Sequence, residues 1–387
     1  MTRILHCVGH LHRGGIEAWL HHVVRLLPAE EFGHDILVWT DEEEHFTQEF
    51  RDAGARVLPI RRHRDPLALD AGLKRVFADH GRHDILHTHG TFHHGLVMLL
   101  CAKAGVPVRI AHSHTDVRPV LDAAGPAYRL YAALGHRLLR RFATRGLAVS
   151  RSAASSMFGP AWERDPRWQI HPCGIDVDAF DRPADEALAR ALGLPEGRPV
   201  IGHVGRFEPQ KNHALLVEIA AEFARSGFPA HFLLVGDGSL RAAFEEDIAR
   251  RGLARMFTVV ANSTDVPQLL ALMDAFAFPS LYEGLGLAAV EAQAAGLPVV
   301  LSERVPEEAT VDAGRVVRMP LGAGAGAWAR ALAGLCGESR RDAATLRRTL
   351  ADSPFNVARS AARLAEIYAE VRKAPVLRAR QVEQEAA

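Results

Sequence analysis

Short apolar runs alternate with segments of helical spacing along almost the whole chain. Arg3–Val8 reads as a strand, Glu17–Leu27 as a helix and Asp35–Thr40 as a strand. Asp84–His89 and Val106–His114 are further strands around the apolar segment Leu96–Ala104, and Gly146–Ser150 and Trp168–His171 follow. The rhythm then restarts. Strands at Pro199–Val204, Ala230–Val235, Met256–Val260, Ala275–Phe278 and Pro298–Ser302 are separated by helical patterns at His213–Arg225, Leu240–Arg251, Val266–Met273 and Ala288–Ala295. Near-continuous apolar strands linked through helices predict parallel sheets covered on both faces. One sheet with so many strands would be exceptional, so the pattern predicts an α/β chain of two doubly wound domains.

The break is expected at the polar, proline-containing stretch Phe180–Arg198, which separates the two series. This gives an N-terminal domain over residues 1–178 and a C-terminal domain over 179–354. Phe355–Lys373 has helical spacing and ends before Pro375; the polar tail 374–387 is expected to be disordered. Gly322–Gly326 (GAGAG) reads as a flexible loop, and no fixed-period repeat is visible.

Composition narrows the function classes. The 387 residues carry 46 basic and 46 acidic side chains, so no global basic field draws the chain onto nucleic acid. The four cysteines form no CxxC pair, which argues against a disulfide scaffold or a zinc ribbon and fits a reducing compartment. The longest apolar runs fall far short of the roughly 20 residues that a membrane span needs. Near the start, Ile4, Leu5 and Val8 are soon followed by His10, His12 and Arg13, too little apolar length for a secretory leader. A cytoplasmic protein is expected.

Three loops carry candidate chemistry. His12–Glu17 (HRGGIE) follows the first strand; Gly14 and Gly15 let the backbone approach a ligand, and a helix start offers N–H groups to an anion. Gly205–Asn212 (GRFEPQKN) follows a strand and places Arg206 and Lys211 at its carboxyl end, where doubly wound sheets bind ligands. Two cations there suit a diphosphate. Pro279–Ala292 (PSLYEGLGLAAVEA) leads from a strand through a glycine loop into an alanine-rich helix bearing Glu291. A carboxylate on so apolar a helix needs a hydroxyl or amide partner. Glu283 and the amides of Gly284, Leu285, Gly286 and Leu287 suit sugar hydroxyls.

Taken together, these segments resemble the retaining glycosyltransferase family 4, in the branch that builds bacterial capsular and exopolysaccharides. The resemblance runs from about residue 3 to 373. Its strongest mark is Glu283 to Glu291, the family's E-x7-E motif; GGIE, GRFEPQKN, VGDGSL (Val235–Leu240) and PCGIDVDAF (Pro172–Phe180) support it. Cys173 stands where that last motif usually carries Asn. The resemblance implies the GT-B fold, two Rossmann-like doubly wound domains facing across a cleft, with Phe355–Lys373 returning to the N-terminal domain. It implies that Arg206 and Lys211 bind the nucleotide diphosphate and that Glu291 binds the ribose. Glu283 would contact the donor sugar, Gly236 and Gly238 would line the nucleoside pocket, and Gly14 and Gly15 would close the phosphate site. The donor would be a nucleotide-diphosphate sugar, UDP-sugar favoured over GDP-sugar, and the acceptor a saccharide or lipid-linked saccharide.

Six histidines cluster in the N-terminal half: His87, His89, His93, His94, His112 and His114. His112-Ser113-His114-Thr115-Asp116 has the look of a metallohydrolase HxHxD, but no bridging acid is evident, and strand-end histidines lining the cleft are preferred. In the family a histidine after this strand is needed for transfer. By register that is His114, with His112 second; His87 and His89 are placed on the acceptor side, with packing an equal alternative. Asp176-Val177-Asp178 is discounted as a metal-binding DxD, and no obligatory metal is expected. Tyr128–Gly146 has five Arg and no acid, a pattern for peripheral contact with the inner face of a membrane or for a core helix with snorkelling Arg. The reading is a retaining sugar transfer in polysaccharide or glycolipid biosynthesis. The alternatives are an epimerase or phosphorylase of the same architecture, or an inactive sugar-nucleotide-binding subunit.

Overall fold

The computed structural model describes residues 1–261, 263, 265–336 and 343–373. The tail 374–387, expected to be disordered, lies outside the described residues. The chain divides into two compact units: Met1–Gly174 together with the chain from Val357 onward, and Ile175–Asn356. The division falls at Gly174/Ile175, ahead of the polar stretch Phe180–Arg198. That stretch is not a bare linker: a helical turn (Val177–Phe180) and α8 (Glu186–Ala191) occupy part of it.

In the first unit, seven parallel strands lie in the order β3-β2-β1-β4-β5-β6-β7. They are β1 Thr2–Gly9, β2 Phe32–Val38, β3 Arg56–Pro59, β4 Ile85–Thr88, β5 Val108–Ser113, β6 Arg145–Ala148 and β7 Trp168–Ile170. The helices of this unit are α1 Gly15–Leu26, α2 Thr47–Asp52, α3 Pro66–His80, α4 Gly95–Lys103, α5 Arg118–Ala123, α6 Pro126–Phe142 and α7 Arg151–Phe158. The last helix, α15 (Val357–Lys373), packs against α1. Trp19 on α1 donates its indole N–H to Ser360 Oγ at 3.0 Å, and buried Leu364, Ile367 and Tyr368 supply the apolar face.

The second unit repeats the plan with the order β10-β9-β8-β11-β12-β13. Its strands are β8 Val200–Val204, β9 His231–Val235, β10 Phe257–Val260, β11 Ala275–Phe278, β12 Val299–Ser302 and β13 Val316–Met319. Its remaining helices are α9 His213–Ser226, α10 Arg241–Arg250, α11 Val266–Ala271, α12 Leu287–Ala294, α13 Ala325–Leu335 and α14 Ala343–Ala351. β9, β11 and β12 are buried at every residue, as strands covered on both faces must be. The GAGAG segment is not a free loop: it contains the end of a helical turn (Leu321–Ala323) and the start of α13.

Each sheet starts in its middle, winds to one edge, and returns to wind to the other. The order therefore reverses between β1 and β4 in one unit and between β8 and β11 in the other. At such a point the two loops after the carboxyl ends diverge and leave a crevice. β3 and β13 are the strands that the hydrophobic pattern missed. Both are four-residue edge strands; Arg56 and Pro59 are exposed in one, and every residue of the other is half-buried. Arg56 and Pro59 break the apolar run of the first, and Arg318 that of the second.

Candidate functional site

In the second unit, the loops after β8 and β11 meet at the reversal. The β8 loop makes a helical turn, Pro209–Lys211, and then passes through Asn212 at φ 55°, ψ 46° before α9 begins. Asn tolerates this left-handed conformation better than most residues. Its side-chain amide donates to Pro279 O at 3.1 Å, and Leu281 N–H donates to Gln210 O at 2.8 Å. These two bonds pin the loops together and aim Lys211 at Glu283.

Lys211 Nζ lies 2.6 Å from Glu283 Oε1, and Gln210 Nε2 donates to Oε2 at 3.1 Å. The pair is largely withdrawn from water, with side-chain exposures of 16% and 7%. Lys211 Nζ also sits 4.7 Å from the centre of the Phe278 ring. Arg206, in the same loop, is exposed, and its guanidinium makes no hydrogen bond among the described residues. Beyond Glu283 the chain turns at Gly286 (φ 93°) into α12. A Cβ there would press on Val305 Cγ1 at 3.1 Å, so geometry and space both select glycine. The N–H groups of Leu285, Gly286 and Leu287 have no partner among the described residues, while Gly284 is buried beside Glu283.

Glu291 lies one turn into α12 and keeps part of its surface open. Desolvation pushes its carboxyl up to about 7, with nearby Lys211 pulling the other way. Gly236 and Gly238, after β9, pack on the β8 loop, where a Cβ would come within 2.2 Å of Gly205 O and 2.6 Å of Phe207 O. Their absent side chains permit this backbone contact. Glu208, from the β8 loop, accepts the Ser239 N–H and Oγ–H and closes the loop set.

In the first unit, Gly14 caps α1 in an extended conformation and Gly15 opens the helix, both exposed. Below them, at the β1/β4 reversal, imidazoles form two hydrogen-bonded strings. One runs His34–His6–His89–His114–Cys173, with spacings of 3.0, 3.1 and 3.2 Å between rings and 3.5 Å to Cys173 Sγ. Each link joins Nδ1 of one ring to Nε2 of its neighbour, so the neutral rings share one tautomer sense along the string. The second runs from Tyr368 OH through His87 and His112 to the His171 carbonyl, at 2.7, 3.3 and 3.0 Å. Burial drives these imidazoles to lower pKa: His34 and His171 fall to about 4 and His114 to about 3. His6, His87, His89 and His112 move in the same direction for the same first cause, with neighbouring imidazoles adding to it.

Strand pairing explains the strings. His6 sits opposite His87 in the β1–β4 register, and β5 next to β4 contributes His112 and, just past its end, His114. Of the six clustered histidines, four join the strings. His93 instead stacks on Phe92, and His94 lies near Cys7 and Trp39. His87, expected beside an acceptor, has no accessible surface and both nitrogens engaged; His89 is also buried with both engaged. His114 is half-buried, and His112 has no accessible surface. Residue spacing did not reveal Gln210, Asn212, His6, His34, His171 or Tyr368. His6 could have been found from its place on the first strand, beside a strand bearing His87. The others depend on contacts between distant segments.

Two parallel sheets with cations and carboxylates gathered at a reversal of strand order define a doubly wound α/β class of protein, here with the GT-B fold. Residues 14–174 match the glycosyl transferase 4-like domain, and residues 184–314 match the glycosyl transferases group 1. EpsF of Bacillus subtilis (strain 168), itself assigned as a glycosyltransferase, is 30% identical over 372 residues, covering 95% of this chain and 96% of its own. The chain belongs to the group 1 glycosyltransferases. A 2-deoxystreptamine glucosyltransferase of Streptomyces kanamyceticus is 41% identical over 135 residues, 34% of this chain and 35% of its own. Among solved structures, Anabaena HepE in complex with UDP and glucose superposes with a TM-score of 0.80 at 19% identity, over 95% of this chain and all of that one. Sucrose-phosphate synthase from Thermosynechococcus elongatus gives 0.77 at 20%, over 97% and 100%. The protein is a glycosyltransferase.

Proposed function

We propose that this chain transfers a sugar from a UDP-sugar to a hydroxyl of a saccharide or lipid-linked saccharide, with retention of anomeric configuration, in polysaccharide or glycolipid synthesis. The observation that carries the reading is the set Arg206, Lys211, Glu283 and Glu291, gathered where the β8 and β11 loops meet. One protein of this fold, Anabaena HepE, was crystallised with UDP and with UDP-glucose, which favours UDP. EpsF, alike over nearly its whole length, supports sugar transfer as the activity.

Arg206 and Lys211 neutralise the diphosphate and stabilise it as it leaves. The Leu285–Leu287 amides and Glu283 hold the donor, and Glu291 accepts from ribose hydroxyls. The bond from the anomeric carbon to the diphosphate oxygen breaks as the acceptor oxygen adds on the same face. The acceptor's proton passes to the departing phosphate oxygen. His114 is the histidine that the family resemblance assigns to transfer; its Nε2 pairs with His89 and its Nδ1 with Cys173 Sγ. On α6, Leu130, Tyr131 and Leu134 are exposed next to Arg129, Arg137 and Arg141, an arrangement suited to the surface of an anionic membrane. No helix among the described residues is long and apolar enough to cross one.

Thermal shift with UDP or GDP, each with and without Mg2+, tests the donor site. The expected result is a metal-independent rise with UDP that Lys211→Ala abolishes, with turnover lower by two or more orders of magnitude. No shift with either nucleotide overturns the reading. Co-sedimentation with phosphatidylglycerol vesicles, lost in Leu130→Glu/Leu134→Glu, tests the membrane contact.

A further inference from the structure

Outside the nucleotide site, one cluster has the donors and the shape of a metal centre. His10 and His12 lie in the loop after β1, and Glu44 lies in the loop after β2. Their ligand atoms all fall within 4.8 Å of one another. His10 Nδ1 is 2.8 Å from Glu44 Oε1, and His12 Nδ1 is 3.6 Å from the same oxygen. The two imidazoles are parallel, 5.1 Å apart at 4°. Two nitrogens therefore converge on one carboxylate oxygen from stacked rings, close to the spread that ligands adopt around a bound ion.

The carboxylate is held in place. Glu44 is only 10% exposed at its side chain, its second oxygen accepts the Leu11 N–H, and its own N–H donates to Thr47 Oγ1 at 2.9 Å. Phe46 N–H donates to Leu11 O at 3.0 Å and ties the two loops together. Such outer contacts orient a ligand before the ion arrives. The histidines, by contrast, are 50% and 62% exposed, which leaves an entry path and open coordination positions.

We propose that His10, His12 and Glu44 bind one divalent transition-metal ion of the zinc class, with water in the remaining positions. Two imidazoles and a carboxylate favour Zn2+, Co2+ or Ni2+ over Mg2+ or Ca2+, which take oxygen ligands. The imidazole strings also hold three-histidine groups, His6-His87-His89 and His89-His112-His114. Those nitrogens are already paired and have no carboxylate to offset two buried charges. The exposed triad offers that charge. A bound ion would clamp the β1 loop to the β2 loop one residue before Arg13-Gly14-Gly15, and so fix the approach to α1.

The test uses the full chain freed of metal with a chelator and titrated with Co2+, read by its visible absorption, and with Zn2+ by calorimetry. One ion per chain is expected. His12→Asn and Glu44→Gln should each weaken it at least about tenfold, while the circular dichroism and the UDP thermal shift stay as in the parent. Absence of saturable binding overturns the proposal. So does binding of equal strength in both variants, which would place the ion on other histidines.

Discussion

Glu291 carries opposing demands. Its carboxyl titrates near 7 in the folded chain, against about 4.5 in an unfolded one. Between those values the folded state holds the extra proton, so stability falls as pH rises through that window. Glu291→Gln should therefore raise the midpoint of thermal unfolding at pH 8, by roughly 2–4 °C for each kcal/mol regained. The same change should weaken UDP-glucose binding. In the parent that binding should be about tenfold weaker at pH 6 than at its alkaline plateau, because the carboxyl must then be ionised on binding. Calorimetric titration across pH 6–8 checks this; equal dependence in Glu291→Gln would remove the ribose role. Glu291 was legible in the sequence because a lone carboxylate on an alanine-rich helix needs a reason. Gln210 was not, since a glutamine in a polar loop has no signature until Glu283 is beside it.

At the level of elements, glycine decides how closely helices and loops approach. Gly135 on α6 lies so near Phe92 that a Cβ would meet its carbonyl oxygen at 2.4 Å, and Gly95 on α4 meets Gly135 O at 2.3 Å. Gly135→Val should cost at least about 1–3 kcal/mol by forcing α6 away from the turn Phe92–His94 that leads into α4, measured by urea unfolding. The loss would fall on the first unit and leave UDP binding by the second unchanged. α15 is a second case. Tyr368 has no accessible surface and donates its hydroxyl to His87 Nδ1 at 2.7 Å, since the His171 carbonyl at the other end of the string can only accept. Tyr368→Phe would leave a buried imidazole nitrogen without a partner, at about 1–3 kcal/mol. The periodicity of both helices was visible along the chain. Their partners, hundreds of residues away for α15, were not.

For the whole molecule, the buried histidines set the response to acid. His34, His114 and His171 titrate at about 3 to 4 when folded and near 6.5 when unfolded. The unfolded chain takes up protons first, so stability is complete above about 6.5 and is lost as pH falls toward 3. Each such histidine contributes a slope of about 1.4 kcal/mol per pH unit within that window. Asp35 behaves differently. Burial works against its charge, yet hydrogen bonds from His83 and Arg56 hold its carboxyl well below the usual range. Its contribution is present above about 4 and lost only in stronger acid. The unfolding midpoint should thus begin to drop between pH 6 and 5, before carboxylates titrate. A midpoint flat down to pH 4.5 would contradict a neutral imidazole core.

What the sequence determined by itself was the rhythm of strands and helices, the doubly wound plan, and the loops bearing Arg206, Lys211, Glu283 and Glu291. These are local facts: a covered parallel strand must be apolar throughout, and a ligand loop must sit at its carboxyl end. Tertiary structure decided the rest. It placed β3 and β13 at the sheet edges, short strands whose apolar runs are interrupted by Arg56 and Pro59 in one and by Arg318 in the other. It paired Lys211 with Glu283 across 72 residues. It also strung His34, His6, His89 and His114 into one line, because parallel pairing brings together side chains on β2 and β1 and just past the ends of β4 and β5 that no spacing along the chain relates.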